Sequence, residues 1–240
     1  MKNKITLVVI MAFLMTSVGF AQKTIKASDI IKDIKKGKNV SYTNATIVGD
    51  LDFTYMEEKL LDLPKRKKNR WWRNGGSNTI KNLIKSKVSF VNCTFEDDVL
   101  AYIPDSENSG YTFIANFDDD AIFKNCTFER KAMFKYSKFN EDASFEGTKF
   151  EDDSTFKYSE FDNNVSFAKA TFKETATFKY TKFKDGVSFN STDFQEDLNI
   201  KYTKVTGEFD IKGMKVAYDI NSKYTKINGK GFNKYLIENR

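Results

Sequence analysis

Residues 134–161 read FKYSKFNEDASFEGTKFEDDSTFKYSEF. The stretch begins and ends on nearly the same six letters, and its phenylalanines fall at alternating steps of five and six. Followed outward, the alternation runs unbroken through Phe117, Phe123, Phe128, Phe134, Phe139, Phe145, Phe150, Phe156, Phe161, Phe167, Phe172, Phe178, Phe183, Phe189 and Phe194. Two steps make 11 residues and four make 22, and the longer unit is visible directly: FKYSKF at 134, FKYSEF at 156, FKYTKF at 178, IKYTKV at 200 and SKYTKI at 222.

A small residue stands two positions before each phenylalanine: Ala132, Ser137, Ala143, Thr148, Ser154, Ser159, Val165, Ala170, Ala176, Thr181, Val187 and Thr192. In extended backbone, residues two apart point the same way, so the large and the small side chain share one interior while their polar neighbours face out. Each step is then one short strand and one corner. Four steps close a square coil, and successive coils stack about 4.8 Å apart. An 11-residue period also suits a right-handed helical supercoil. The five/six alternation, the Phe and Thr content and the acidic turn triplets select strands instead.

This pattern resembles the pentapeptide-repeat family, in the variant F-x-x-A-x-F with one residue added in alternate units, over about 90–227. The resemblance implies an all-β fold, a right-handed parallel quadrilateral β-helix. The register continues downstream to Ile200, Val205, Ile211, Val216, Ser222 and Ile227, and upstream to Thr112, Ser106, Ala101, Phe95 and Phe90. Tyr42, Ile47 and Phe53 repeat the step, with Val40, Ala45 and Leu51 two residues before them. The β-helix is therefore expected over 40–230, interrupted at about 54–83. YIPDSENSGY at 102–111 keeps the count but loses the apolar residues, which makes it a loop or a distorted coil.

A solenoid of this kind needs covers at both ends. In the N-terminal capping segment, 22–39, the stretch ASDIIKDIKKGK offers a short helix, with Ser28 as N-cap, an apolar face of Ile30, Ile31 and Ile34, and Gly37 as stop. At the far end, 231–240, Phe232, Tyr235, Leu236 and Ile237 are expected to fold over the last coil.

Residues 1–21, MKNKITLVVIMAFLMTSVGFA, carry two lysines, an apolar run and a small-residue ending. This reads as a secretory signal peptide cleaved after Ala21, which places the mature protein in the periplasm or outside the cell. Losing Lys2 and Lys4 lowers the net charge from +6 to +4, a mild excess. The chain contains no His, which removes the commonest general base and metal ligand. No catalytic group, metal site or cofactor is expected, and the chain does not read as an enzyme.

The outward residues fall into columns. One corner carries Lys135-Tyr136, Lys157-Tyr158, Lys179-Tyr180, Lys201-Tyr202 and Lys223-Tyr224, flanked by Lys138, Glu160, Lys182, Lys204 and Lys226. This face suits an anionic or sugar partner, or serves only as tyrosine packing with solvated lysines. Glu96-Asp97-Asp98, Asp118-Asp119-Asp120 and Asn140-Glu141-Asp142 read as one acidic column, with Glu151-Asp152-Asp153 and Gln195-Glu196-Asp197 as another. Tight corners prefer such residues without any metal.

The insertion gathers Lys65, Arg66, Lys67, Lys68, Arg70 and Arg73 around Trp71 and Trp72, a composition suited to a membrane interface, a polyanion or a glycan. Cys93 and Cys126 share the contexts VNCTF and KNCTF. They lie on opposite walls if the count is continuous through 102–112, and on one wall if that stretch is excluded.

Three functions follow. The first is a non-enzymatic exported scaffold that binds a protein, a cell-envelope polymer or an anionic surface, with peripheral membrane contact as one form. The second is a carbohydrate-active β-helix enzyme, for which the regular coils leave too few loops to build a groove. The third comes from the resemblance alone, since relatives that mimic duplex DNA protect topoisomerases. The export signal and the positive charge argue against that role and against nucleic acid as the partner.

Overall fold

The computed structural model describes residues 23–63, 78–104 and 110–238. The expected signal sequence, the basic Trp-containing stretch from Lys65 to Arg73 and Ser106 lie outside the described residues.

Four parallel walls enclose one core. In chain order the first wall begins at Val40–Thr43 and ends at Phe209–Asp210, and the second runs from Lys23–Lys26 to Lys215–Val216. The third runs from Leu51–Asp52 to Ile220–Asn221, and the fourth from Thr79–Ile84 to Lys226–Ile227. In the regular part every strand pairs with the strand one full coil on, as in Phe128 with Phe150 and Phe139 with Phe161. The phenylalanines therefore stack ring on ring. Phe156 lies 5.3 Å from Phe134 and 5.2 Å from Phe178, all three nearly parallel. Each buried Phe contributes roughly 1.5–3 kcal/mol, so the ladder stabilises a thin domain whose two cysteines are both free thiols.

The small inward positions divide by chemistry. Those that follow a third-to-fourth or first-to-second corner carry hydroxyls in most coils, Ala170 being an exception: Thr148, Ser159, Thr181, Thr192, Thr203 and Thr225 donate to the carbonyls of Phe123, Phe134, Phe156, Phe167, Phe178 and Ile200 at 2.5–2.7 Å. The other two corners are followed mainly by Ala and Val, which only fill space. Serine and threonine thus satisfy carbonyls at the corners, where the ladder turns.

Two insertions reset the register. Val40 pairs with Val88, and Val88 in turn with Ala121, so the first two coils are both longer than the regular one. The second exceeds the regular length by half a coil, which leaves the solenoid after Ala101 and returns by Thr112. Its strand Tyr102–Ile103 folds back antiparallel on Ile114 and Phe113. Thr112 is consequently not a core position but the start of the fourth-wall strand Thr112–Phe117, whose inward residues include Ala115 and Phe117. The first interruption is shorter than 54–83, because Thr79–Ile84 already pairs along Thr112–Phe117.

The half-coil slip also reorders the acidic corners. Glu96-Asp97-Asp98 stacks with the corner of Arg130 and Lys131, where Lys131 N–H donates to Asp98, rather than with Asp118-Asp119-Asp120. Cys93 and Cys126 become neighbours on the second wall, since Thr94 pairs with Thr127. Both are buried thiols. The hydrogen bond with Cys93, and burial behind it, raise the Cys126 thiol above its usual range.

At the N-terminal end, Lys23–Lys26 pairs with Ala45–Val48 as an extra strand and leads straight into helix α1, Ala27–Lys35. The N-cap is therefore Lys26, in extended conformation and without a side-chain cap, and not Ser28. Ile30 and Ile34 are buried over the open coil, and Gly37, at φ +74°, ends the helix with its N–H on the Ile34 carbonyl. At the other end Phe232 and Tyr235 of the helix Phe232–Glu238 pack on Phe209. Ile237 is 69% exposed and takes no part in the cover.

Candidate functional site

The corner between the third and fourth walls is built from Lys-Tyr-Ser/Thr, set between one Phe and the next strand. Its middle residue adopts left-handed backbone: Tyr136, Tyr158, Tyr180, Tyr202 and Tyr224 have φ between +61° and +64°. A bulky residue there costs roughly 1–2 kcal/mol. The diagonally opposite corner uses the same conformation with Gly147, Lys169, Ser191 and Gly213, so the turn itself does not require tyrosine. The N–H of each of the first four tyrosines donates 3.0 Å to the carbonyl of the lysine one coil on.

The five rings form one column. Successive centroids are 4.9, 4.8, 4.5 and 4.8 Å apart, with interplanar angles of 3–18°. Each neighbouring lysine ammonium lies over its own ring, 5.0–5.4 Å from the centroid for Lys135, Lys157, Lys179, Lys201 and Lys223. The ring faces are thus turned to one another, and the corner presents phenol edges and ammonium groups. Tyr102, from the loop outside the coil, extends the column at its first rung, where Lys135 donates 3.1 Å to its hydroxyl. Tyr102 is off the FKY register, so no periodic signal marks it.

The electrostatics separate this corner from its surroundings. None of the five lysines forms an ion pair among the described residues. Burial, then the charges of Lys135 and Lys179, push the Lys157 ammonium below its ordinary pKa. On the adjoining fourth wall the charges are matched. Glu160 meets Lys182 at 3.1 Å and Lys184 at 2.5 Å, and Asp162 meets Lys184 at 2.9 Å and Lys138 at 2.8 Å. That matching ends at Lys204 and Lys226, which stack in register after Lys182. The last two rungs therefore carry two cations each, Lys201 with Lys204 and Lys223 with Lys226.

The acidic corners do not converge: among the described residues no three His, Cys, Asp or Glu side chains come together as a metal site requires. A second concavity, about 630 Å³, lies between α1, the helix Met56–Leu61 and the third wall, lined by Lys35, Asp50, Asp52, Tyr55 and Glu58 among others. Part of its polar lining is engaged. Lys35 pairs with Glu58 and lies over Tyr55, and Asp52 accepts from Thr54 and Met56. Among the described residues no helix is long and apolar enough to cross a membrane.

Of the residues expected to bind a partner, Lys135, Tyr136, Lys157, Tyr158, Lys179, Tyr180, Lys201 and Tyr202 are brought together in this one column. Lys65, Arg66, Lys67, Lys68, Arg70, Trp71, Trp72 and Arg73 lie outside the described residues. No curated protein and no solved structure matches the chain. A family model for pentapeptide repeats, built of nine copies, matches residues 115–160 and 156–204. The span holds four rungs of the lysine–tyrosine column, and over it the chain is built of pentapeptide repeats.

Proposed function

We propose that this protein is an exported, non-enzymatic scaffold that contacts an anionic component of the cell envelope through its lysine–tyrosine corner, with the basic insertion at Lys65 to Arg73 as a second contact. The observation that supports the reading is the pairing of strain with unbalanced charge. Five tyrosines occupy left-handed backbone that the opposite corner fills with Gly147, Lys169, Ser191 and Gly213, and beside them stand five lysines with no ion pair among the described residues, in a chain that matches charges on the adjoining wall. Local strain and like-charge neighbours both cost stability, and their repetition over five rungs calls for a use outside the fold. Catalysis finds no support in a chain without His, the commonest general base.

The test is binding of the purified protein to anionic lipid vesicles and to a panel of envelope glycans. Wild type is compared with a chain lacking residues 64–75 and with Trp71→Ala/Trp72→Ala. Binding carried by the corner persists in both variants and falls as salt rises. Binding that vanishes with the insertion makes the insertion the principal contact, and absence of any binding overturns the reading.

A further inference from the structure

We infer that the ligand of this corner is a linear anionic polysaccharide with one carboxylate per sugar ring, lying along the axis of the β-helix with its rings in step with the rungs. The inference rests on the functional reading above and goes further, to the chemistry of the partner.

Three features select it. First, the column is straight and evenly spaced: rings 4.5–4.9 Å apart and nearly parallel repeat one ammonium and one phenol hydroxyl per rung. An extended chain of uronic acids advances one ring over a similar interval, so rings and rungs stay in step. Duplex DNA places a phosphate about every 3.4 Å of each strand, which drifts out of step within a few rungs. Second, the aromatic faces are closed to a ligand because each ring covers the next. Sugar rings cannot stack on them, and recognition falls to phenol O–H and ammonium N–H donors, which take carboxylates rather than neutral sugars. Third, the ammonium groups lack internal carboxylates among the described residues, so a bound polyanion supplies the missing counter-charges. The paired lysines at the last two rungs, Lys201 with Lys204 and Lys223 with Lys226, make that end the stronger anchor.

The experiment is a calorimetric titration of the protein with oligogalacturonides from the monomer to the decamer, beside their methyl esters and inorganic polyphosphate. Wild type is compared with Lys157→Gln/Lys179→Gln and with the control Lys131→Gln/Lys173→Gln on another corner. Affinity is expected to rise roughly threefold per added uronate, the gain of a weak exposed ion pair, and to level off near the pentamer. The methyl esters should not bind, and the ladder variant should lose at least tenfold while the control does not. If polyphosphate or anionic vesicles bind through the ladder lysines while uronates of every length fail, the polysaccharide assignment falls and the scaffold reading stands. Uronate binding that is indifferent to length, or unchanged in the ladder variant, overturns the comb and removes the corner as the site.

Discussion

Ser137 and Thr181 occupy equivalent inward positions and differ in what lies one coil away. Thr181 donates to the Phe156 carbonyl at 2.6 Å. Ser137 is fully buried and its hydroxyl has no partner among the described residues. The half coil that leaves the solenoid puts Ala101 opposite Phe134, and the Ala101 carbonyl accepts from Ala115 N–H rather than from the Ser137 hydroxyl. Removing an unmet hydroxyl and removing a satisfied one therefore have opposite signs. Ser137→Ala should leave stability unchanged or raise it, whereas Thr181→Val should cost about 1–2 kcal/mol in urea unfolding. At this scale the sequence was highly legible. The five/six spacing marks nearly every core position, because an inward side chain every second residue is a condition of the strand itself. The hydroxyl seam was not legible as chemistry, since Ala, Ser, Thr and Val all satisfy the size requirement that the pattern reveals.

Elements were less legible, and most of the misses share one cause. A count along the chain carries no mark where half a coil leaves the solenoid, because half a coil restores the five/six phase. The acidic corners, the cysteine pair and the place of Thr112 all moved with that slip. The N-cap is Lys26 and not the expected Ser28, because the preceding strand Lys23–Lys26 delivers the chain to the helix early. The element that reads most clearly in charge is the fourth-wall cluster. Lys184 first, with Lys182, lowers the Glu160 carboxyl against the opposing effect of burial. For Asp162 burial raises the pKa, and Lys138 and Lys184 together outweigh it. A carboxylate whose folded pKa is depressed contributes stability above its unfolded value, and that contribution is lost as pH falls through the folded pKa. Stability should thus decline on acidification below about pH 5, where unfolded carboxylates begin to take up protons. Glu160→Gln should shallow that decline, and a urea midpoint that stays flat from pH 6 to pH 3 contradicts the cluster's role.

For the whole molecule, repetition turns a small local choice into a surface. One tyrosine in left-handed backbone beside one lysine without a counter-ion would be an ordinary corner; five in register make a charged comb along the solenoid. Its membership was legible as the letters KY recurring once in every coil. Its backbone strain, the closure of its ring faces and the contribution of Tyr102 required the fold, because none of them has a period in the sequence. The alternative to a contact surface is a packing device, in which stacked rings and cation–π contacts hold the coils together. The two accounts diverge on Lys157 and Lys179. Exposed cation–π contacts contribute about 0.5–1 kcal/mol, while the repulsion between like neighbours costs a few tenths for each pair, so for stability the two effects nearly cancel. The most direct measurement is urea unfolding of Lys157→Gln/Lys179→Gln beside its binding of anionic envelope glycan. The contact-surface account predicts stability within about 0.5 kcal/mol of wild type and binding at least tenfold weaker. A clear loss of stability with binding intact would contradict it and make the column part of the fold alone.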